Sequence, residues 1–166
     1  MGLDMYLRSL PRIEGMGLDE ILLASARLRK HEEENSEIYN KIKNHIKDFE
    51  EFDMSWRSMF TELAYWRKAN QIHHWFVESV QDGKDDMSHY EVNRDHLLEL
   101  HDRCLEVLDR KTPADDVLPT RPGPFFGDTG YDQYYFHEIN RTRSILTNIL
   151  ETFNFDTHYI LYHANW

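Results

Sequence analysis

Four of the five prolines and three of the seven glycines fall between Thr112 and Gly130. The rest of the chain is therefore almost free of the residues that interrupt helices, whereas an all-β fold needs turn residues at frequent intervals. The same concentration marks Thr112 to Gly130 as one extended loop, and long loops of this kind commonly carry function. The apolar periodicity agrees with a mainly helical chain. Leu18, Ile21, Leu22, Ser25 and Leu28 follow a helical period, and Ile38, Ile42, Ile46 and Phe49 resume it after the polar run Lys30 to Ser36. Two helices, or one long helix with a polar middle, satisfy that spacing. Trp56 to Val80 contains no breaker, and Tyr65, Ala69, Ile72, Phe76 and Val80 form a stripe that predicts one buried helix. Further helices are predicted after Asn93, an N-cap residue, with Leu97, Leu98, Leu100, Cys104, Leu105 and Leu108 inward, and over Tyr131 to Phe153.

The two ends read differently. Leu3, Met5 and Leu7 alternate with Asp4 and Tyr6 before Pro11, and Thr157 to Tyr162 is rich in β-branched and aromatic residues. Ser88 to Val92 can form a further short strand. The expected fold is α+β and predominantly α-helical, with helices packed on a small sheet in which the N- and C-terminal strands pair. At 166 residues with 40% hydrophobic content, one domain spanning 1–166 can bury an adequate core.

Charge narrows the partners. Nineteen Lys and Arg against 30 Asp and Glu give a net charge of −11, which disfavours direct nucleic-acid binding. The acids sit in separated groups, as on solvated faces, although a decoy for nucleic acid is a possible use of them. Cys104 stands alone, so neither a disulfide framework nor a cysteine-based zinc cluster is available, and it reads as a small buried hydrophobe. No signal peptide or membrane-length apolar run is evident, so a cytoplasmic protein without membrane partners is expected.

Chemistry concentrates in Tyr65 to Val77. On a helix, Arg67, Asn70, Gln71, His74 and Glu78 share a face flanked by Trp66, Lys68 and Trp75. Such a face can hold an anionic or planar ligand, with Arg67 on an acid group, Asn70 and Gln71 on ring edges and Trp66 stacking. A solvent-facing stripe with ordinary ion pairs is the alternative. Phe125, Phe126, Tyr131 and Tyr134 are more rings than a mobile loop leaves in water. They either pack on the protein's own helices or form a lid over the Arg67 and His74 face, with Arg121 adding a cation. His73 and His74 point about 100° apart on a helix and cannot readily share a metal. No His-Glu-x-x-His, phosphate-binding loop, dinucleotide fingerprint or Gly-x-Ser-x-Gly elbow occurs, and no metal or cofactor is implied.

Met1-Gly-Leu-Asp-Met-Tyr-Leu7, Tyr65-Trp-Arg-Lys-Ala-Asn70 continuing through His73 to Val77, Leu118-Pro-Thr120, and Phe125-Phe-Gly127 with Tyr131-Asp-x-Tyr-Tyr135 resemble a family of small uncharacterised proteins of bacteriophages and bacterial genomes. The likeness omits Arg29 to Phe52, and Pro124 before the Phe pair departs from the more usual pattern. It implies an accessory role inside an infected host cell, such as counter-defence, but lends no mechanism. Three functions are carried forward. The first is a binder, as a monomer or a homo-oligomer, that sequesters a small anionic or nucleotide-like ligand or blocks a host protein, with weaker binding expected for Arg67→Ala. The second is an enzyme acting on a phosphate-containing or nucleotide substrate, with His73 or His74 as acid or base and Tyr134 or Asp132 assisting. The third is an acidic nucleic-acid mimic.

Overall fold

A computed structural model describes residues 2–28 and 37–166. Strand β1 (Asp4–Pro11) pairs antiparallel with two neighbours: β6 (His158–Asn165), from Asp4 opposite Asn165 to Pro11 opposite His158, and β4 (Thr61–Arg67). Short β5 (Tyr90–Val92) joins β6, giving the order β4-β1-β6-β5. The chain ends thus form the two central strands of one sheet. The expected α+β architecture is the observed one, with helix exceeding strand among the described residues.

Side chains alternate across this sheet, and each face meets a separate apolar layer. Met5, Leu7, Ala64, Trp66, Ile160 and Tyr162 point into the main core. There they meet α3 (Asn70–Ser79), α4 (Arg94–Asp109) and α6 (Gln133–Thr152) through Ile72, Phe76, Leu97, Leu100, Ile139 and Leu146. On the opposite face, Leu10 and Leu161 join Ile21, Ala24, Leu28 and Ile42 from α1 (Leu18–Leu28) and α2 (Glu37–Ile42), with Met59. This second layer covers only the Leu10 end of the face. Tyr6, Tyr65 and His163 remain partly exposed at the other end.

Helix ends follow their local chemistry. Asn93 caps α4, accepting from the His96 amide at 2.8 Å while the His96 ring accepts from the Asn93 amide. Asp132 caps α6 by accepting from the Tyr135 amide at 3.0 Å. Within the long proline-rich segment lies only the one-turn α5 (Ala114–Val117).

Two helical expectations fail. Trp56 to Val80 divides into the end of β3 (Met54–Ser58), β4 and α3, and Ile46 and Phe49 leave the helical run, Phe49 entering β2 (Lys47–Glu51). The break before α3 comes from Lys68, a non-glycine residue at φ 58°. Its amide donates to the Leu3 carbonyl at 2.8 Å, prolonging the β1 ladder before the chain turns into α3. β2 and β3 form a separate hairpin, from Lys47 opposite Ser58 to Glu51 opposite Met54. Whether one helix or two cross the polar stretch lies outside the described residues.

Candidate functional site

The hairpin stands beside the β4 edge of the sheet, to which Lys47 is tied through Thr61, and between them is an open cleft of about 660 Å³. Its lining comes from three segments: Arg8 of β1, Lys47, Phe49, Trp56 and Ser58 of the hairpin, and Phe60, Thr61 and Glu62 leading into β4. The strand period explains the hairpin's share. Lys47, Phe49, Trp56 and Ser58 occupy one face, leaving Asp48 and Arg57 to pair on the other at 3.1 Å. Phe49 and Trp56 stand directly opposite in the ladder, with ring centroids 5.8 Å apart and planes 13° from parallel. The Lys47 ammonium donates to the Thr61 hydroxyl, tying the arm to the sheet edge.

Beside the cleft, the open end of the sheet carries a row of rings. Tyr65 packs on Tyr6 at 5.2 Å, Tyr6 on His163 at 6.3 Å, His163 on His89 at 4.4 Å and 8°, and His89 on Phe60 at 5.5 Å. The Arg8 guanidinium lies 4.2 Å from the Tyr6 ring centroid. Tyr65 donates to the Asp4 carboxylate, which raises the phenol's pKa and keeps it a donor. Two cations, stacked apolar rings and several hydroxyls thus border a space of the size that small-molecule sites occupy, roughly 300–1,000 Å³. Such a set can stack a planar ring and pair with an anion.

The structure spreads the residues expected to bind a ligand over the core, a structural clamp and the exposed surface, and only Gln71 and His74 among them line a common concavity, of about 100 Å³, with Trp75, Glu78 and Leu118. Trp66 faces inward from β4, fully buried, and its indole donates to the Thr142 hydroxyl at 2.9 Å. Asn70 is buried and holds the loop with both ends of its side-chain amide. Its amide nitrogen donates to the carbonyls of Phe126 (3.2 Å) and Asp128 (2.8 Å), and its oxygen accepts from the Arg121 amide (3.1 Å). Gln71 is buried on α3, and His74 bonds the Pro119 carbonyl through Nδ1 at 3.0 Å. Arg121 is neutralised by Asp85 at 3.4 Å and Glu78 at 3.6 Å. Phe126 is buried against His73 and Trp166. The loop therefore packs on the protein's own helices and is not a lid.

Arg67, Phe125, Tyr131 and Tyr134 remain exposed, away from the cleft lining. Tyr134 donates to the Arg67 carbonyl at 2.9 Å, and the Tyr131 hydroxyl accepts from the Thr120 amide. Arg67 ends β4, so it does not share a helix face with Asn70 and His74.

His73 is likewise enclosed. The Tyr162 hydroxyl, kept protonated by burial, donates to Nδ1 at 2.8 Å, which places the imidazole proton on Nε2, 3.1 and 3.2 Å from the two Asp85 oxygens. Both ring nitrogens are engaged and the ring has no exposed surface, which removes His73 as a general base. Asp132, the other suggested assistant, is occupied as the α6 cap. Burial lowers the His73 pKa, outweighing the attraction of Asp85. The unfolded chain takes up a proton near the ordinary value of about 6.5 while the folded chain resists it. The His73 contribution to stability is thus complete above that value and fades as pH falls through it toward the lower folded pKa. Denaturant titrations from neutral pH to pH of about 5 should show falling stability, with a shallower slope in His73→Gln.

Burial also pushes the Cys104 thiol up to about 12, in keeping with an inert core residue. Among the described residues, no group of three or more His, Cys, Asp or Glu could hold a metal ion, and no helix is long and apolar enough to cross a membrane.

Sequence inspection missed the cleft because it joins residues far apart in the chain. The available signal was alternation, Lys47 with Phe49 and Trp56 with Ser58, which a strand reading of 47–58 turns to one side. Comparison with family models, with curated proteins and with solved structures finds no match for this chain.

Proposed function

We propose that this is a phage-type accessory protein of the host cell that sequesters a small anionic, nucleotide-like ligand in the cleft between the β2–β3 hairpin and the sheet. The observation that carries this reading is the composition of the cleft wall: Arg8 and Lys47 beside the Phe49–Trp56 stack in a chain of net charge −11. With so much negative charge overall, an anion needs a local excess of cations, and this cleft sets Arg8 and Lys47 against the single carboxylate of Glu62. A base would stack on the rings while its phosphate meets Arg8 and Lys47; Glu62 and the Ser58 and Thr61 hydroxyls border the same space. The resemblance to small phage proteins suggests the setting, a counter-defence role in the host cytoplasm.

Trp56 offers a readout, since it is the tryptophan of the cleft lining, whereas Trp66 and Trp75 are buried and Trp166 packs on His73 and Phe126. Nucleoside phosphates should quench its emission saturably, and Arg8→Ala should weaken binding about tenfold to a hundredfold, the range for a charge-assisted hydrogen bond. Emission that no nucleoside phosphate alters, with wild-type affinity too weak to saturate, would count against the reading.

A further inference from the structure

The tip of the hairpin carries an apolar group that the cleft does not use. Phe52 is 88% exposed and Met54 65% exposed. Phe52 and Asp53 form the turn with φ of 50° and 63°, left-handed backbone that a phenylalanine adopts only at some cost. The arm is rooted by Ile46 and Met59 in the second core, but its β2 strand is exposed along its whole length. A two-stranded hairpin has little stability of its own in water, and a phenylalanine and a methionine held out at its end call for a cover. The tip is also acidic, with Glu50, Glu51 and Asp53 around the two apolar side chains.

A surface of opposite character exists on the same chain. Between α1 and α2, Met16, Leu23, Ala24 and Ile38 line a concavity of about 140 Å³, with Arg27 and Lys41 beside them. Leu23 is 53% exposed there. Tip and hollow are both apolar, and the tip's acidic flanks are opposite in charge to Arg27 and Lys41. Glu20 also borders the hollow, so the match is net rather than complete.

We propose that the Phe52–Met54 tip of one copy seats in the α1–α2 hollow of a second copy, giving a dimer held by exchanged arms. Five residues per strand extend the arm by about 17 Å, enough to bridge two surfaces. A two-fold arrangement makes the contact twice and closes the assembly. The partner is a second copy because the acidic apolar knob and the basic apolar hollow occur together on this chain. Dimerisation does not depend on what the cleft binds.

Sedimentation velocity over the micromolar range tests this. Wild type should be a dimer, and Phe52→Ser on the knob or Leu23→Asp in the hollow should each raise the dissociation constant at least tenfold, roughly, with an unchanged circular dichroism spectrum. Glu51→Lys should weaken the dimer and Lys41→Glu in the same chain should restore it. A wild-type monomer throughout that range, including one that instead engages another protein by its tip, would overturn the proposal, as would a dimer indifferent to Phe52→Ser and Leu23→Asp.

Discussion

Trp66→Ala should destabilise the protein by about 4 kcal/mol, within the ~3–5 kcal/mol range for buried aromatics truncated to alanine. At ~2–4 °C per kcal/mol for a chain of this size, the melting temperature should fall by roughly 8–16 °C. The cause is twofold. A fully buried indole that packs on Phe76 is lost, leaving a cavity between sheet and helices, and the Thr142 hydroxyl loses the donor it meets at 2.9 Å. Trp56→Ala, by contrast, removes a ring from the half-covered hairpin and should leave the melting temperature nearly unchanged. Differential scanning calorimetry of the two variants separates a core tryptophan from a binding one. Equal effects would mean that the buried Trp66 contributes no more to stability than the half-covered Trp56.

Asn70→Ala should have the next largest effect, about 3 kcal/mol, or roughly 6–12 °C in melting temperature, given ~1–3 kcal/mol for each buried polar group left unsatisfied. The change strands the carbonyls of Phe126 and Asp128 and the amide of Arg121 together. Asn70→Asp should do no better, because it keeps the acceptor for Arg121 but sets a carboxylate against two carbonyl oxygens. The released segment is 118–132, so limited proteolysis should cut there first, while affinity at the cleft stays the same. Unaltered cleavage within 118–132 would show that Asn70 does not hold this loop.

These two variants also mark where the sequence could and could not be read. The terminal strands were legible because Met5 and Leu7 alternate with polar neighbours and because the aromatic and β-branched tail can bury both faces. Asn93 was legible as an N-cap because an amide side chain before an apolar-periodic run has a specific backbone partner. The division of Trp56 to Val80 was not legible. Its apolar spacing satisfies a helical period by coincidence, and the residue that ends the strand is a lysine in left-handed backbone rather than a glycine or proline. The hairpin was hidden similarly, by a turn built from Phe52 and Asp53 instead of asparagine and glycine.

The dispersal of the Tyr65 to Val77 residues has the same origin. The density of rings, amides and histidines in Tyr65 to Val77 was a sound sign of specialised chemistry, but that chemistry is internal. Trp66 fills the core, Asn70 clamps the loop, and His73 links Tyr162 to Asp85. Sequence spacing cannot distinguish a side chain that satisfies its own protein from one that waits for a ligand. The cleft escapes for the converse reason. Arg8, Lys47, Trp56 and Thr61 share no period and meet only because β4 pairs with β1 and the hairpin stands beside that edge.

The most direct measurement is isothermal titration calorimetry of wild type, Arg8→Ala, Trp56→Ala and Arg67→Ala against the same set of nucleoside phosphates. The cleft assignment predicts saturable binding by wild type and Arg67→Ala with closely similar affinity. Arg8→Ala and Trp56→Ala should each be weaker by about tenfold or more, the loss expected for an ion-paired hydrogen bond or a stacked base. Binding abolished by Arg67→Ala and retained by both cleft variants would place the ligand at the end of β4 and contradict the assignment.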